Sequence, residues 1–204
     1  MNNFIKINKD FEDFINIFLE ENKKINLISK NDTKFLFEKH IYDSLSIKLF
    51  FDKYGTNFKN LLDIGCGGGF PCLPIALEYP DLKIIGLDSI RKKIIAVETI
   101  KNKLNITNLD LICERAENIK SIRFDIITSR AVANLSKISE LAIPLLNKEG
   151  FFIAYKSKKA EEEIDSAQLT LKKYDAKIVD TIDYTLPTEE KHERKLIIIK
   201  KQIN

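Results

Sequence analysis

The spacing of apolar residues changes once along the chain. Over residues 8–22, Phe11, Phe14, Ile15, Phe18 and Leu19 recur three and four apart, and over 32–51 Phe37, Ile41, Leu45 and Leu49 do the same. Such spacing lays one apolar stripe along a helix, so two N-terminal helices are predicted. Tyr54-Gly55-Thr56-Asn57 breaks the pattern. From Asn60 onward, short β-rich runs take over at 60–65, 83–88, 109–113, 124–129, 151–155, 177–184 and 196–200. Helical patterns lie between some of them: Ile94, Val97, Ile100 and Leu104 in 92–104, then Leu135, Ile138, Leu141, Ala142 and Leu145 in 134–146. This alternation predicts a largely parallel sheet with helices on both faces. Lys148-Glu149-Gly150 is expected to end the second of these helices, with Gly150 as a left-handed cap. Only the turn-like Leu186-Pro187-Thr188-Glu189 separates the last two runs, so an antiparallel hairpin is expected at the sheet edge. The expected organisation is a helical extension over 1–56 packed on an α/β domain over 57–204.

Composition sets bounds on this picture. A chain of 204 residues, 44% of them hydrophobic, can fill the core of one domain. No stretch is apolar enough to span a bilayer, and MNNFIKINKDFEDF lacks the basic-then-apolar signature of a signal peptide. A cytoplasmic protein, monomeric and without membrane contact, is expected. Cys66, Cys72 and Cys113 form no CxxC pair and have only His40 and His192 beside them as soft ligands, so neither a disulfide scaffold nor a metal site is expected. Net charge is only +3. Arg91-Lys92-Lys93, Lys156-Ser157-Lys158-Lys159 and the 191–195 cluster are therefore read as local features, either phosphate contacts or solvated faces.

The chemistry concentrates at residues 61–76, LLDIGCGGGFPCLPIA, where four glycines fall in five positions between a strand and a helix. In an open parallel sheet, ligands bind beyond the carboxyl ends of the strands, and glycines there let the backbone approach them closely. Phe70-Pro71-Cys72 replaces the Gly-Lys-Ser/Thr that a P-loop needs, which speaks against ATP hydrolysis. Counting from Gly65 or Gly67 puts Phe70 or Cys72 at the last glycine of G-x-G-x-x-G, which speaks against NAD and FAD. What remains is Asp63-x-Gly65-x-Gly67-x-Gly69, which resembles the S-adenosylmethionine motif of Rossmann-like methyltransferases. In that reading Asp63 accepts from the ammonium group of the cofactor. Asp88, 23 residues after Gly65 at the end of the second strand, accepts from the ribose hydroxyls. Glu117 falls where the adenine should lie.

Further segments extend the likeness. LDS at 87–89, RAE at 115–117, SRAVA at 129–133, YKSKK at 155–159 and His40-Ile41-Tyr42-Asp43-Ser44-Leu45 accompany the glycine loop. Together they resemble the bacterial 16S ribosomal RNA guanine-N7 methyltransferases, the glucose-inhibited division protein B family, over nearly the whole chain. Cys72 and Ser157 stand where that family usually has glycine. The resemblance implies a mostly parallel seven-stranded sheet and S-adenosylmethionine as cofactor. It also implies 16S rRNA or the small ribosomal subunit as partner, and a pocket lined by Gly65, Phe70, Asp88, Ser89, Ile90, Ala116, Glu117 and Arg130. Guanine N7 carries no proton, so no general base is expected; Arg130 and Lys156 are expected to position O6 or a phosphate. A cytosine-C5 reading of Pro71-Cys72 is disfavoured because the dipeptide sits in the cofactor loop, where Cys72 reads as a buried small residue. His40, Asp43 and Ser44 share one helix and cannot form a hydrolytic triad, so they read as a helix-to-sheet hydrogen-bond cluster. That cluster is a candidate border of the RNA path, and Asn26 is a candidate either for the same region or for a cap before the next helix. Two alternatives stay open: a methyltransferase of the same fold acting on a small molecule or protein, and a nonenzymatic cofactor-sensing RNA-binding module.

Overall fold

A computed structural model describes residues 9–157 and 160–203. Helix α1 (Lys9–Lys24) opens the chain and buries Phe11, Phe14 and Phe18. The apolar pattern over 32–51 does not give one continuous helix. It gives a 3-10 turn (Thr33–Phe35), a wide π-type turn (Phe37–Ile41), α2 (Tyr42–Leu45) and α3 (Lys48–Tyr54). Polar groups explain the interruptions. The carbonyl of Lys39 accepts from Arg130, and the hydroxyls of Ser44 and Ser46 donate back to the carbonyls of His40 and Tyr42. Each draws a backbone group out of the regular ladder. Gly55, at φ +84°, then ends α3. Asn26 is exposed, and Asn22 does the local holding, its side chain accepting from the backbone of Leu27 and Ile28.

The seven-stranded sheet runs β3 (Leu109–Cys113), β2 (Lys83–Asp88), β1 (Asn60–Ile64), β4 (Phe124–Arg130), β5 (Leu146–Ser157), β7 (His192–Lys201) and β6 (Ala176–Leu186). The first five strands in this order are parallel, and β7 lies antiparallel to both β5 and β6. The expected hairpin is present, with β6 as the edge. Alternate strand positions feed opposite faces: Phe151, Ile153 and Tyr155 of β5 join one core, Phe152 and Ala154 the other. The first core includes α1, α2, α3, α4 (Cys72–Glu78) and α5 (Arg91–Lys103). The second is closed by α6 (Leu135–Ala142) and α7 (Glu161–Lys173), the latter absent from the sequence expectation.

The junction of α6 and β5 differs from its prediction. The helix stops at Ala142, a 3-10 turn follows over Ile143–Leu145, and β5 begins at Leu146. Pro144 has no N–H to continue the ladder. Glu149, not Gly150, takes the left-handed conformation, at φ +64°. Gly150 is needed for space, since a Cβ there would lie 3.0 Å from two backbone oxygens. Among the described residues, no helix is long and apolar enough to cross a membrane.

Candidate active site

Strand β1 lies between β2 and β4, where the strand order reverses, so its carboxyl end opens onto the crevice of the sheet. The backbone N–H groups of Gly65 and Cys66 both donate to the carbonyl of Leu87, at 2.7 and 2.9 Å, fastening the loop to β2. The Asp88 carboxylate then holds both sides of the crevice, accepting from Gly67 N at 2.9 Å and Ile90 N at 2.8 Å. Gly67 sits at φ +55°, and a Cβ there would meet nothing closer than 3.9 Å, so this backbone faces open space. That space is a cavity of about 640 Å³. Gly65 is more constrained: at φ +74°, its Cβ would fall 2.4 Å from a methyl of Val132.

Of the residues predicted for the site, Gly65, Gly67, Phe70, Asp88, Ser89, Ile90, Ala116, Glu117 and Arg130 line this cavity. Asp63, Gly69 and Lys156 do not. Asp63 is fully buried beneath the loop, accepting from Thr128 Oγ1 at 3.0 Å and Cys72 N at 3.2 Å. It fixes the start of α4 to β1 and β4 and exposes no surface to the cavity. Burial pushes its carboxyl up to about 7, against the lowering effect of those hydrogen bonds. Gly69 serves packing, since a Cβ would fall 2.4 Å from Leu73 and 3.2 Å from Val97. Cys72 is buried, with its sulfur beside Gly86.

Lys156 turns away from the cavity. Its ammonium donates at 2.7 Å to both the Ala133 carbonyl and the Glu163 carboxylate, and Glu163 also accepts from Leu135 N at 2.7 Å. The pair clamps the segment after β4, where Ala131, at φ +56°, and Val132 form part of the cavity wall. Arg194 is likewise committed inside the protein, to Asp43, so neither side chain is a free phosphate ligand. Lys158 and Lys159, the other proposed phosphate contacts, lie outside the described residues.

Arg130 is the most constrained cation at the site. Its guanidinium donates to the Lys39 carbonyl (3.2 Å), Asp43 Oδ2 (3.0 Å) and His40 Nδ1 (2.8 Å). A guanidinium has five N–H donors and no acceptor. Two donors remain, and Nδ1 of His40 must be an acceptor, leaving the imidazole proton on Nε2. Burial and the charge of Arg130 lower the His40 pKa to about 4, so the ring is neutral near pH 7. Its Nε2 is buried without a partner. Phe70 packs under the guanidinium, 5.3 Å from ring centroid to Cζ, and against the rings of His40, Phe14 and Phe18. The N-terminal helices thereby form the floor of the site.

Asp43 also accepts from Tyr184, and the two arginines hold its carboxyl below the usual carboxylate range despite full burial. Sequence reading identified the helix-to-sheet cluster but not Tyr184 or Arg194, which lie 141 and 151 positions from Asp43 and carry no local signal. Val132 was also missed as a wall residue, although it lies inside the SRAVA segment that the family resemblance singled out. Among the described residues, no group of three or more His, Cys, Asp or Glu side chains is placed to hold a metal.

Three comparisons bear on this geometry. The family model described as "GidB: rRNA small subunit methyltransferase G" matches residues 7–196. A "Ribosomal RNA small subunit methyltransferase G" of Listeria welshimeri is 37% identical over 198 residues, covering 95% of this chain and 82% of the relative. That of Staphylococcus saprophyticus is 37% identical over 201 residues, covering 97% and 83%. Among solved structures, a methyltransferase from Pyrococcus furiosus superposes with a TM-score of 0.61 at 18% identity, covering 78% of this chain and 83% of that one. The TYW2 protein of M. jannaschii, solved in complex with AdoMet, gives 0.59 at 12%, covering 79% and 77%. At such identities the structures establish the Rossmann-like methyltransferase fold alone.

Proposed function

The chain belongs to the rRNA small subunit methyltransferase G family, and on that premise we propose that it transfers a methyl group from S-adenosylmethionine to N7 of a guanine in 16S ribosomal RNA. The observation that carries the reading is the cavity beyond β1 and β2, where Gly67 presents bare backbone and Asp88 a carboxylate to the same space. This fits an adenosine-bearing ligand. Asp88 retains lone pairs for ribose hydroxyls, Phe70 and Ile90 supply apolar surface, and Ala116 leaves room for a ring beside Glu117.

When bound, the cofactor supplies an electrophilic methyl group on a sulfonium. Guanine N7 has an in-plane lone pair and no proton to lose, so the protein's task is alignment, worth roughly 7–11 kcal/mol in favourable cases. The site fits a reaction without a base: His40 is neutral and its Nδ1 is occupied by Arg130. Arg130 can turn its two remaining donors to O6, a phosphate or the cofactor, leaving N7 open.

The test is nucleoside mass spectrometry of 16S rRNA incubated with the protein and labelled S-adenosylmethionine. The expected product is 7-methylguanosine. Label on an exocyclic amine, on cytosine C5, or only on protein or small molecules overturns the assignment.

A further inference from the structure

A second cavity, of about 580 Å³, adjoins the first and shares Asp32, His40, Arg130 and Ala131 with it. Its walls come from four separate parts of the chain: the stretch from Asp32 to Asp43 with Lys39 and His40, the end of β4 with Arg130 and Ala131, Ser157 at the end of β5, and the β6–β7 hairpin with Lys191 and Arg194. The buried Asp43 carboxylate draws the first, second and last of these together through Arg130, Arg194 and Tyr184. This second space lies across Arg130 from the first cavity.

Its charge also has a direction. Asp43 is neutralised by the two arginines, and Asp32 and Glu193 carry ion pairs to lysines at the rim, at 3.3 Å to Lys39 and 3.1 Å to Lys191. The positive charge left over among these groups sits at the back of the cavity, on the two arginines that share Asp43. Both lysines reach the rim: the Lys191 side chain is 65% exposed and that of Lys39 28%. The ion pairs of Lys39 and Lys191 are more exposed than those of Lys156 and Arg194, and such surface pairs are worth little, so a phosphate can compete for these lysines. Exchangeable cations at the mouth and a locked guanidinium at the back suit a ligand that is anionic outside and bears hydrogen-bond acceptors inside. A nucleotide within a polynucleotide chain has that polarity.

Resting on the rRNA methyltransferase reading above, we infer that this second cavity seats the acceptor nucleotide of the RNA, with its phosphates against Lys39 and Lys191 and its base edge against Arg130 and Ala131. The O6 edge of the purine then meets a donor that Asp43, His40 and Lys39 hold in place, while N7 faces the first cavity across the shared wall. In-line transfer follows from the layout: N7 bonds to the methyl carbon as the carbon–sulfur bond breaks, its electron pair staying on sulfur, and the base becomes a fixed cation.

The experiment compares the full-length protein with Lys191→Glu, Lys39→Gln and, as a control of equal charge change on exposed α7, Lys172→Glu. Filter binding of 16S rRNA across a salt series and calorimetry with S-adenosylmethionine are both measured. The expected result is rRNA binding at least about tenfold weaker for Lys191→Glu, with a salt slope lower by ~0.7–0.9 per lost phosphate contact. Lys39→Gln should shift in the same direction, and cofactor affinity should stay within about twofold in every variant. Parent-like rRNA affinity in both cavity variants, or an equal loss in Lys172→Glu, overturns the cavity assignment while methylation by the parent protein leaves the enzyme reading standing. A parent protein that methylates no rRNA refutes the enzyme reading and this inference with it.

Discussion

Arg130 Nη1 lies 3.0 Å from Oδ2 of Asp43, a residue 87 positions earlier in the chain. Asp43 is 2% exposed in its side chain and also holds Arg194. The guanidinium in the wall of the candidate site is thus oriented by the N-terminal helices.

Removing that carboxylate leaves two arginines without their buried counter-charge. Asp43→Ala should cost about 3–5 kcal/mol of stability, the range for breaking a buried ion pair from one side. Asp43→Asn, which keeps one acceptor, should cost less. Urea denaturation gives both numbers, and a change below about 1 kcal/mol in the alanine variant contradicts the role given to this residue.

Asp63 makes stability depend on pH. Its folded pKa, about 7, lies above the ordinary 3.8, so the folded state binds the proton more tightly. The contribution is full below about 3.8 and is lost as pH rises through about 7. Between pH 5 and 8 the denaturation midpoint of the parent should therefore fall by an amount that Asp63→Asn, permanently neutral, largely removes. An identical pH profile in the two proteins refutes the assignment.

The glycine loop tolerates little. Gly65→Ala combines a positive φ with a contact at 2.4 Å, and Asp88→Ala releases Gly67 and Ile90 together. Each variant should weaken S-adenosylmethionine binding by at least about tenfold, equivalent to 1.4 kcal/mol. Calorimetry measures this, with circular dichroism to establish that the fold persists. Unchanged affinity in both variants sinks the pocket assignment.

Lys156 and Glu163 should act as one unit. Lys156→Met and Glu163→Gln each free the segment carrying Ala131 and Val132, so each should lower turnover. The double variant should be no slower than the worse single one, because interacting residues are not additive. Fully multiplicative losses indicate that Lys156 works independently of the clamp.

The fold class was written in the sequence because it depends on local repetition. Short β-rich runs, 3.6-period helices and the turn at 186–189 each follow from residues close together, and the glycine loop follows from its own spacing. The same holds for Asp88, Phe70, Ala116 and Glu117, which lie at strand ends or in turns, where their position in the element largely decides where they face. Three of the groups that departed from expectation, Asp63, Lys156 and Arg194, are charged side chains whose partners, 7 to 151 positions away, no local pattern reveals. Asp63 is an acid beside a cofactor loop in sequence, but the pleat of β1 turns it under the loop toward Thr128 and Cys72 N. Lys156 reads as an RNA or substrate contact until α7 supplies Glu163, and Arg194 as a phosphate ligand until Asp43 is seen behind it. Long cationic side chains reach several ångströms in any direction, so their partner is set by packing and by the cost of leaving a buried charge unpaired. Sequence determined which scaffold is built and where its ligand crevice opens. Tertiary structure alone decided which charges face that crevice and which hold it together.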